Sequence, residues 1–149
     1  MSALGLTARP GMLNRAGARL LTAPAESDPQ VAYQFRPTPG SEPVAVVRLA
    51  EPLVVAYERV LELVEARNDA ITVQLERGAQ MEIFDFLPLA IEEAVANALI
   101  HRDFRLRGPV VVDHSPQVLS ITSSGPLVYG VTRENILTHR SKPRNPALT

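Results

Sequence analysis

Three polar residues, Glu93, Asn97 and His101, recur at every fourth position of one segment. If that segment is an α-helix, residues four apart lie one above the other, so the three side chains share one arc of its surface. An asparagine carbonyl is a hard, neutral oxygen that suits Mg²⁺, which keeps waters and phosphates among its ligands. A carboxylate one turn away can orient or deprotonate an attacking water. The spacing therefore indicates chemistry on a nucleotide bound with a metal ion.

Each of these residues also has a structural interpretation. A glutamate in the first turn of a helix commonly interacts with the helix dipole. An asparagine within a helix is often only exposed, and a histidine near the C-terminal end can bond the last carbonyls. Spacing alone leaves the catalytic and the structural interpretations open.

The segment around these residues has the periodicity of a helix. Its apolar residues recur at spacings of three and four, which predicts a helix from residue 89 to about 101. Pro88 suits the opening position, and Glu92 and Glu93 are expected in the first turn. A second helix is predicted over residues 52–67, and its buried stripe comprises Leu53, Tyr57, Val60, Leu61 and Val64.

The other segments predict mainly short strands. A short helix is expected over residues 133–137, with Thr132 as its N-cap. Residues 114–117 are expected to link the last two strands. The predicted strands are residues 30–35, 44–49, 71–75, 81–86, 110–113 and 118–122.

Composition limits the classes of function that remain. The chain has 149 residues, a formal net charge of −1 and no cysteine, which excludes disulfides, thiolate zinc sites and a cysteine nucleophile. Its three histidines do not repeat at a metal-ligand spacing. No apolar run approaches the roughly 18 residues of a membrane span, and no signal peptide is visible. We expect a single cytoplasmic domain with no membrane partner.

The near-zero net charge conceals two halves of opposite sign. Residues 26–100 carry a net charge of −8, whereas residues 101–149 carry +4. Such blocks usually form a solvated face, and the alternative is a partner bearing phosphate, either a nucleotide or a nucleic acid. Direct DNA binding has little support, because no helix with clustered arginines is visible.

The string Ile91–Phe104, IEEAVANALIHRDF, closely resembles the E-A-x-x-N-A-L-x-H-R-D-Y signature of RecG-like transcriptional regulators of bacteria and archaea. The C-terminal region of that family is a divergent GHKL-type ATPase domain. Further segments are similar to the family's remaining motifs and extend the resemblance over nearly the whole chain. They are residues 14–21, Leu119–Leu127, Gly130–Ile136 and the Arg144–Pro146 string, RNP.

The resemblance implies roles for particular residues. Glu93 corresponds to the general base and Asn97 to the ligand of Mg²⁺, so ATP and Mg²⁺ are the implied cofactors. Gly125 corresponds to a glycine of the nucleotide loop, where backbone approaches the adenine. His101 and Arg102 are implied near the phosphates.

The sequence departs from the family at the base-binding loop. Ser123 stands where working enzymes carry the aspartate that binds the adenine amino group, and Leu127 replaces a second glycine. The resemblance also places a glycine-rich lid beyond Arg144–Pro146, so a piece of a longer regulator is expected. We therefore expect at most a weak ATPase.

The fold implied by the resemblance, and allowed by the periodicity, is an α/β two-layer sandwich. Its sheet is mixed and largely antiparallel, with helices 52–67 and 89–101 on one face. Residues 1–22 are expected to be an N-terminal arm and residues 23–149 a partial GHKL-like domain.

Two functions follow for such a domain. The first is a nucleotide-binding region of a transcriptional regulator, which would bind DNA through a domain absent from this chain. The alternative is a non-catalytic dimerisation or interaction module with a degenerate nucleotide site. The intact Glu93 and Asn97 pair favours the first, and Ser123 favours the second. A homodimer is left open in both.

Overall fold

The computed structural model describes residues 7–9, 12–135, 138, 140 and 142–148. Eleven elements and two short 3₁₀ turns, at Glu76–Gly78 and Pro146–Leu148, follow one another in these residues. In chain order the elements are β1 Thr7–Arg9, β2 Met12–Leu13, α1 Arg15–Leu21, β3 Val31–Phe35, β4 Ala45–Leu49, α2 Leu53–Glu65, β5 Ala70–Gln74, β6 Gln80–Phe84, α3 Pro88–His101, β7 Val110–Ser115 and β8 Val118–Thr122.

The main sheet has four strands in the order β4–β3–β7–β8. The outer pairs, β3 with β4 and β7 with β8, are antiparallel, whereas β3 and β7 are parallel. The chain between β3 and β7 contains α2 and α3, which supply the crossover that a parallel pair requires. The predicted mixed and largely antiparallel sheet is confirmed.

The core lies between one face of this sheet and the helices. Alternate residues of β3 and β7 point to that face, because side chains on a strand alternate between its two sides. The predicted α/β two-layer arrangement is confirmed. The buried apolar residues are Val31, Tyr33, Leu49, Leu53, Ala56, Val60, Val64, Ile91, Val95, Leu99, Val110 and Val112.

The apolar residues of helix α3 and its polar residues Glu93 and Asn97 lie on nearly opposite sides of the helix. Ile91, Val95 and Leu99 are buried against the core. Glu93 and Asn97 each follow a buried residue by two positions, a rotation of about 200° around the helix, and both are exposed. One prediction is wrong in detail. The helix begins at Pro88, so its first turn contains no acidic residue and Glu93 lies in the second turn.

Strand β7 is longer than predicted. The link predicted over residues 114–117 contains two strand residues, since His114 pairs with Leu119 and Ser115 with Val118. His114 is fully buried, beside the rings of Phe35 and Phe86 at centroid distances of 5.4 Å and 5.7 Å. This packing extends the strand into a stretch whose composition indicated a loop.

Strands β5 and β6 confirm the hairpin predicted around Gly78, but they form a separate two-stranded sheet. One face of this hairpin carries Ile71 and Ile83, which pair across the strands and are both exposed. Asn68 closes the base of the hairpin: its side chain accepts from the Phe86 N–H at 2.9 Å and donates to the Phe86 carbonyl at 2.7 Å.

The segment after β8 contains a turn where a short helix is predicted. Residues 133–135 form this turn, in which the Thr132 N–H donates to the Asn135 side chain at 2.7 Å. Residues 136 and 137 of the predicted short helix lie outside the described residues. Within the described part of the chain, the helices are all too short or too polar to cross a bilayer.

Candidate functional site

The exposed face of α3 carries the residues whose spacing indicates chemistry. Glu93 and Asn97 are exposed, and neither has a hydrogen-bond or ion-pair partner among the residues that the structure describes. His101 is half-buried at the end of the same helix. The structure thus brings the first two together, one turn apart and open to solvent.

The next residue, Arg102, turns inward. Its side chain donates to the Gln30 side-chain oxygen at 3.0 Å, to the Gln30 carbonyl at 3.3 Å and to the Gly108 carbonyl at 2.7 Å. Only 1% of the residue is exposed. Burial lowers the pKa of Arg102 below its ordinary value. Contact with a phosphate would require the guanidinium to leave Gln30 and Gly108.

Asp103 is the centre of a cluster of charges. Its carboxylate accepts from the Arg105 side chain at 2.9 Å and 2.7 Å, and from the Arg105 backbone N–H at 3.0 Å. Arg144 donates to it at 3.3 Å. The hydrogen bonds from Arg105 hold the pKa of Asp103 well below its usual range, so the carboxylate stays ionised.

Gly125 lies directly against this cluster. Its φ of +133° favours glycine, and a Cβ atom built on it would lie 2.9 Å from the Asp103 Cβ. The preceding Ser124 carbonyl accepts from the Asp103 N–H at 2.8 Å. Packing against Asp103 therefore accounts for glycine at this position. The nucleotide roles of Gly125 and of half-buried Ser123 stay predictions.

The RNP string closes the C-terminal end of α3. The Asn145 side chain donates to the carbonyls of Ile100 at 2.7 Å and Arg102 at 2.8 Å. Arg144 donates from Nε to the His101 carbonyl at 3.1 Å, and it also bonds the Pro126 carbonyl. The motifs that carry the resemblance thus meet at one structural junction, where helix-end carbonyls need donors.

We expect Asn145→Ala to lower the free energy of unfolding by about 1–2 kcal/mol, because it leaves helix-end carbonyls short of donors. Urea denaturation followed by circular dichroism measures this loss. Gln74→Ala removes an exposed amide from β5 and is the matched control, expected to change stability by less than about 0.5 kcal/mol. Equal effects of the two substitutions would contradict the capping role of Asn145.

A cavity of about 880 Å³ lies elsewhere, between α1 and the segment that follows α3. None of the residues predicted to form a site lines this cavity. Sequence reasoning missed Arg19, Gln30 and Arg105 as wall residues, since no spacing pattern connects positions so far apart. The remaining wall consists of Ala16, Ala18, Thr22, Pro24, Ala25, Asp28, Asp103, Phe104, Arg144, Asn145, Pro146 and Leu148.

The donor set on α3 fits only a lightly held metal ion. Among the described residues, no group of three or more histidine, aspartate or glutamate side chains could hold a metal. Asn97 offers one neutral oxygen, which is compatible with Mg²⁺ held mostly by phosphates and waters. Any such ion would therefore have to arrive with its nucleotide.

No family model matches this sequence, and no curated protein matches it. Among solved structures, the chain is similar to the crystal structure of the DIP2311 protein from Corynebacterium diphtheriae, with a TM-score of 0.84 and 25% sequence identity. The match covers 97% of this chain and 30% of that chain. The two thus share this fold over nearly all of the present chain, which spans less than a third of the matched chain's length.

Proposed function

We propose that this chain is a nucleotide-binding domain of the RecG-like regulator class, and that the exposed face of α3 binds ATP with Mg²⁺. One observation supports this most directly: Glu93 and Asn97 lie one turn apart, exposed and without partners in the described chain. Side chains with a structural task would be engaged in capping or in bonds to a neighbouring loop.

Each residue has a defined task in this proposal. The Asn97 carbonyl provides one oxygen ligand for Mg²⁺, and the nucleotide phosphates and waters provide the rest. Glu93, one turn nearer the start of α3, orients a water. Efficient hydrolysis is not part of the proposal, because preorganised stabilisation of a transition state is weak on a face open to solvent.

Melting temperatures with and without ATP and Mg²⁺ test the proposal. At a concentration of roughly a hundred times the dissociation constant, ATP with Mg²⁺ is expected to raise the melting temperature by about 6–10 °C. Asn97→Ala is expected to abolish most of the shift. Gln74→Ala, which removes an exposed amide from β5, is expected to retain it.

Two results would contradict nucleotide binding at this face. One is the absence of any shift at millimolar ATP and Mg²⁺. The other is a shift that Asn97→Ala leaves unchanged. Retention of the shift without Mg²⁺ would remove Asn97 from the role of metal ligand.

A second candidate is the interaction module, which would dimerise or contact a DNA-binding domain. The exposed apolar face of the β5–β6 hairpin, with Ile71 and Ile83 opposite each other, favours it. An isolated two-stranded hairpin is marginally stable in water, and a partner on its apolar face would stabilise it. Failure of the nucleotide titration would leave this candidate in place.

A further inference from the structure

We infer that the cavity between α1 and the segment after α3 binds a small organic anion, through the positive charge of Arg19 and its arginine neighbours. The ligand class is a compact molecule with a phosphate or carboxylate group and an apolar body. This site shares no residue with the proposed nucleotide face of α3, so the two proposals stand independently.

Charge is out of balance around this cavity. Asp103 is bonded to both Arg105 and Arg144, so one carboxylate serves two guanidinium groups. Arg19 lies 3.8 Å from Asp28, and no hydrogen bond joins them. With Arg102, which lies next to the wall but is not part of it, the region contains four arginines and two aspartates. Its net charge is therefore positive by two.

Arg102 makes this imbalance costly. Its guanidinium is buried and bonds only to neutral oxygens, and no carboxylate of the described chain lies within salt-bridge distance. The Arg102 Nε atom also has no hydrogen-bond partner. The charge of Asp28 acts on Arg102 from beyond that distance, but Asp28 also pairs with Arg19. Since a buried cation with only a shared counter-charge is expensive, an anion in the adjacent cavity would stabilise the native state.

Gln30 provides a second, independent indication of a ligand. It forms part of the cavity wall, it is only 1% exposed, and its side-chain nitrogen has no partner among the described residues. Its side-chain oxygen is already occupied by Arg102. Buried donors of this kind are nearly always hydrogen-bonded, so an acceptor is missing here. The nitrogen is enclosed within the wall, so an anionic oxygen in the cavity would reach it after a small rotation of the Gln30 amide.

The other part of the wall is apolar and defines the body of the ligand. The guanidinium groups of Arg19 and Arg102 both lie over the Phe104 ring, at 5.5 Å and 4.9 Å from its centroid. Pro24 and Leu148 also line the cavity. A volume of about 880 Å³ is within the range of small-molecule sites. These features favour a small molecule with a ring or short chain beside its anionic group.

The test uses three probes: inorganic phosphate, phenyl phosphate and benzoate. Calorimetric titration of the full chain is expected to show saturable binding of phenyl phosphate or benzoate, and the tighter of the two identifies the anionic group. Arg19→Gln is expected to weaken that binding about 10- to 100-fold, because a charged hydrogen bond is lost. Inorganic phosphate, which lacks the apolar body, is expected to bind more weakly than phenyl phosphate.

Matched variants make the outcome decisive. Arg59→Gln removes the same charge from the exposed surface of α2 and is expected to leave binding unchanged. Arg19→Lys keeps the charge, and its affinity for the probe is expected to lie between those of the wild type and Arg19→Gln. This variant keeps the test valid if Arg19→Gln does not fold. Asn97→Ala is expected to retain binding, which separates this site from the nucleotide face. The inference would be overturned if no probe bound at a concentration of about 10 mM, which corresponds to a very weak affinity. Equal losses of probe affinity in Arg19→Gln and Arg59→Gln would also overturn it.

Discussion

Gly125→Ala is expected to lower the free energy of unfolding by about 2–5 kcal/mol, a larger loss than Asn145→Ala would cause. The new methyl group would meet the Asp103 Cβ at 2.9 Å, and the backbone at φ +133° disfavours any side chain. Asp103 cannot easily retreat, because Arg105 and Arg144 hold its carboxylate. Urea denaturation measures the change.

Gly40→Ala separates the two contributions to this loss. Gly40 also has a positive φ, +81°, but a Cβ atom there would meet nothing within 4 Å. Its substitution should therefore cost only the backbone strain, about 1–2 kcal/mol. If both alanine variants lost the same free energy of unfolding, the close approach of Gly125 to Asp103 would contribute nothing to the loss in Gly125→Ala.

The elements of this fold could be predicted from local sequence, because burial imposes a period on each of them. Leu53, Val60 and Val64 recur along α2 and are buried, and alternation along β3 marks Val31 and Tyr33. The hairpin at Gly78 was also predictable from its turn. Its separation from the main sheet was not, because strand periodicity does not specify which strand lies beside which.

The candidate site was predictable only where it depends on one helix. Glu93 and Asn97 share an exposed face because of helical geometry alone. Arg102 follows in the same string, yet its direction is set by Gln30, 72 positions away along the chain. No local pattern contains that information.

The same distinction explains the cavity. Arg19 and Gln30 flank one loop, whereas Arg105 and Arg144 belong to segments that the main sheet and α3 bring back beside it. Spacing in the sequence describes side chains on one element. A site assembled from four segments becomes visible only when those segments are packed together.

Helix-end geometry also clarifies why a motif is not by itself a ligand site. Asn145 and Arg144 resemble part of a nucleotide-binding domain, but in this structure their side chains satisfy the carbonyls of Ile100, Arg102 and His101. Such bonds fix where α3 ends. They therefore hold the C-terminal end of the helix that carries Glu93 and Asn97 on its exposed face.

Acidification is expected to destabilise the protein below pH 6.5 through His114. Burial lowers the pKa of His114 below its ordinary value, the nearby charge of Arg67 lowers it further, and Asp85 opposes both. The unfolded chain therefore binds a proton at a higher pH than the folded chain. The contribution of His114 to the free energy of unfolding is fully present above pH 6.5. It falls as the pH drops towards the pKa of His114 in the folded chain, by at most about 1.4 kcal/mol per pH unit.

The surroundings of His114 explain why its imidazole is harder to protonate in the folded chain. His114 Nδ1 lies 3.1 Å from the Tyr33 hydroxyl, and its Nε2 has no partner in the described chain. In the protonated imidazole both ring nitrogens are donors, so a charge would be buried beside Phe35 and Phe86 and the Nε2–H would have no acceptor in the described chain. The Asp103 carboxyl does not contribute to the change of stability with pH near 6.5, because its pKa is displaced downwards from 3.8.

Free energies of unfolding measured between pH 5 and 8, a window of about 1.5 pH units on either side of an ordinary histidine pKa, test this expectation. His114→Gln should remove the slope below pH 6.5, whereas His101→Gln should retain it. Direct NMR titration of His114 in the wild-type chain gives a second readout that does not depend on the variant folding. A slope that persists in His114→Gln, or a His114 pKa at or above 6.5, would show that the buried imidazole is not what limits stability in weak acid.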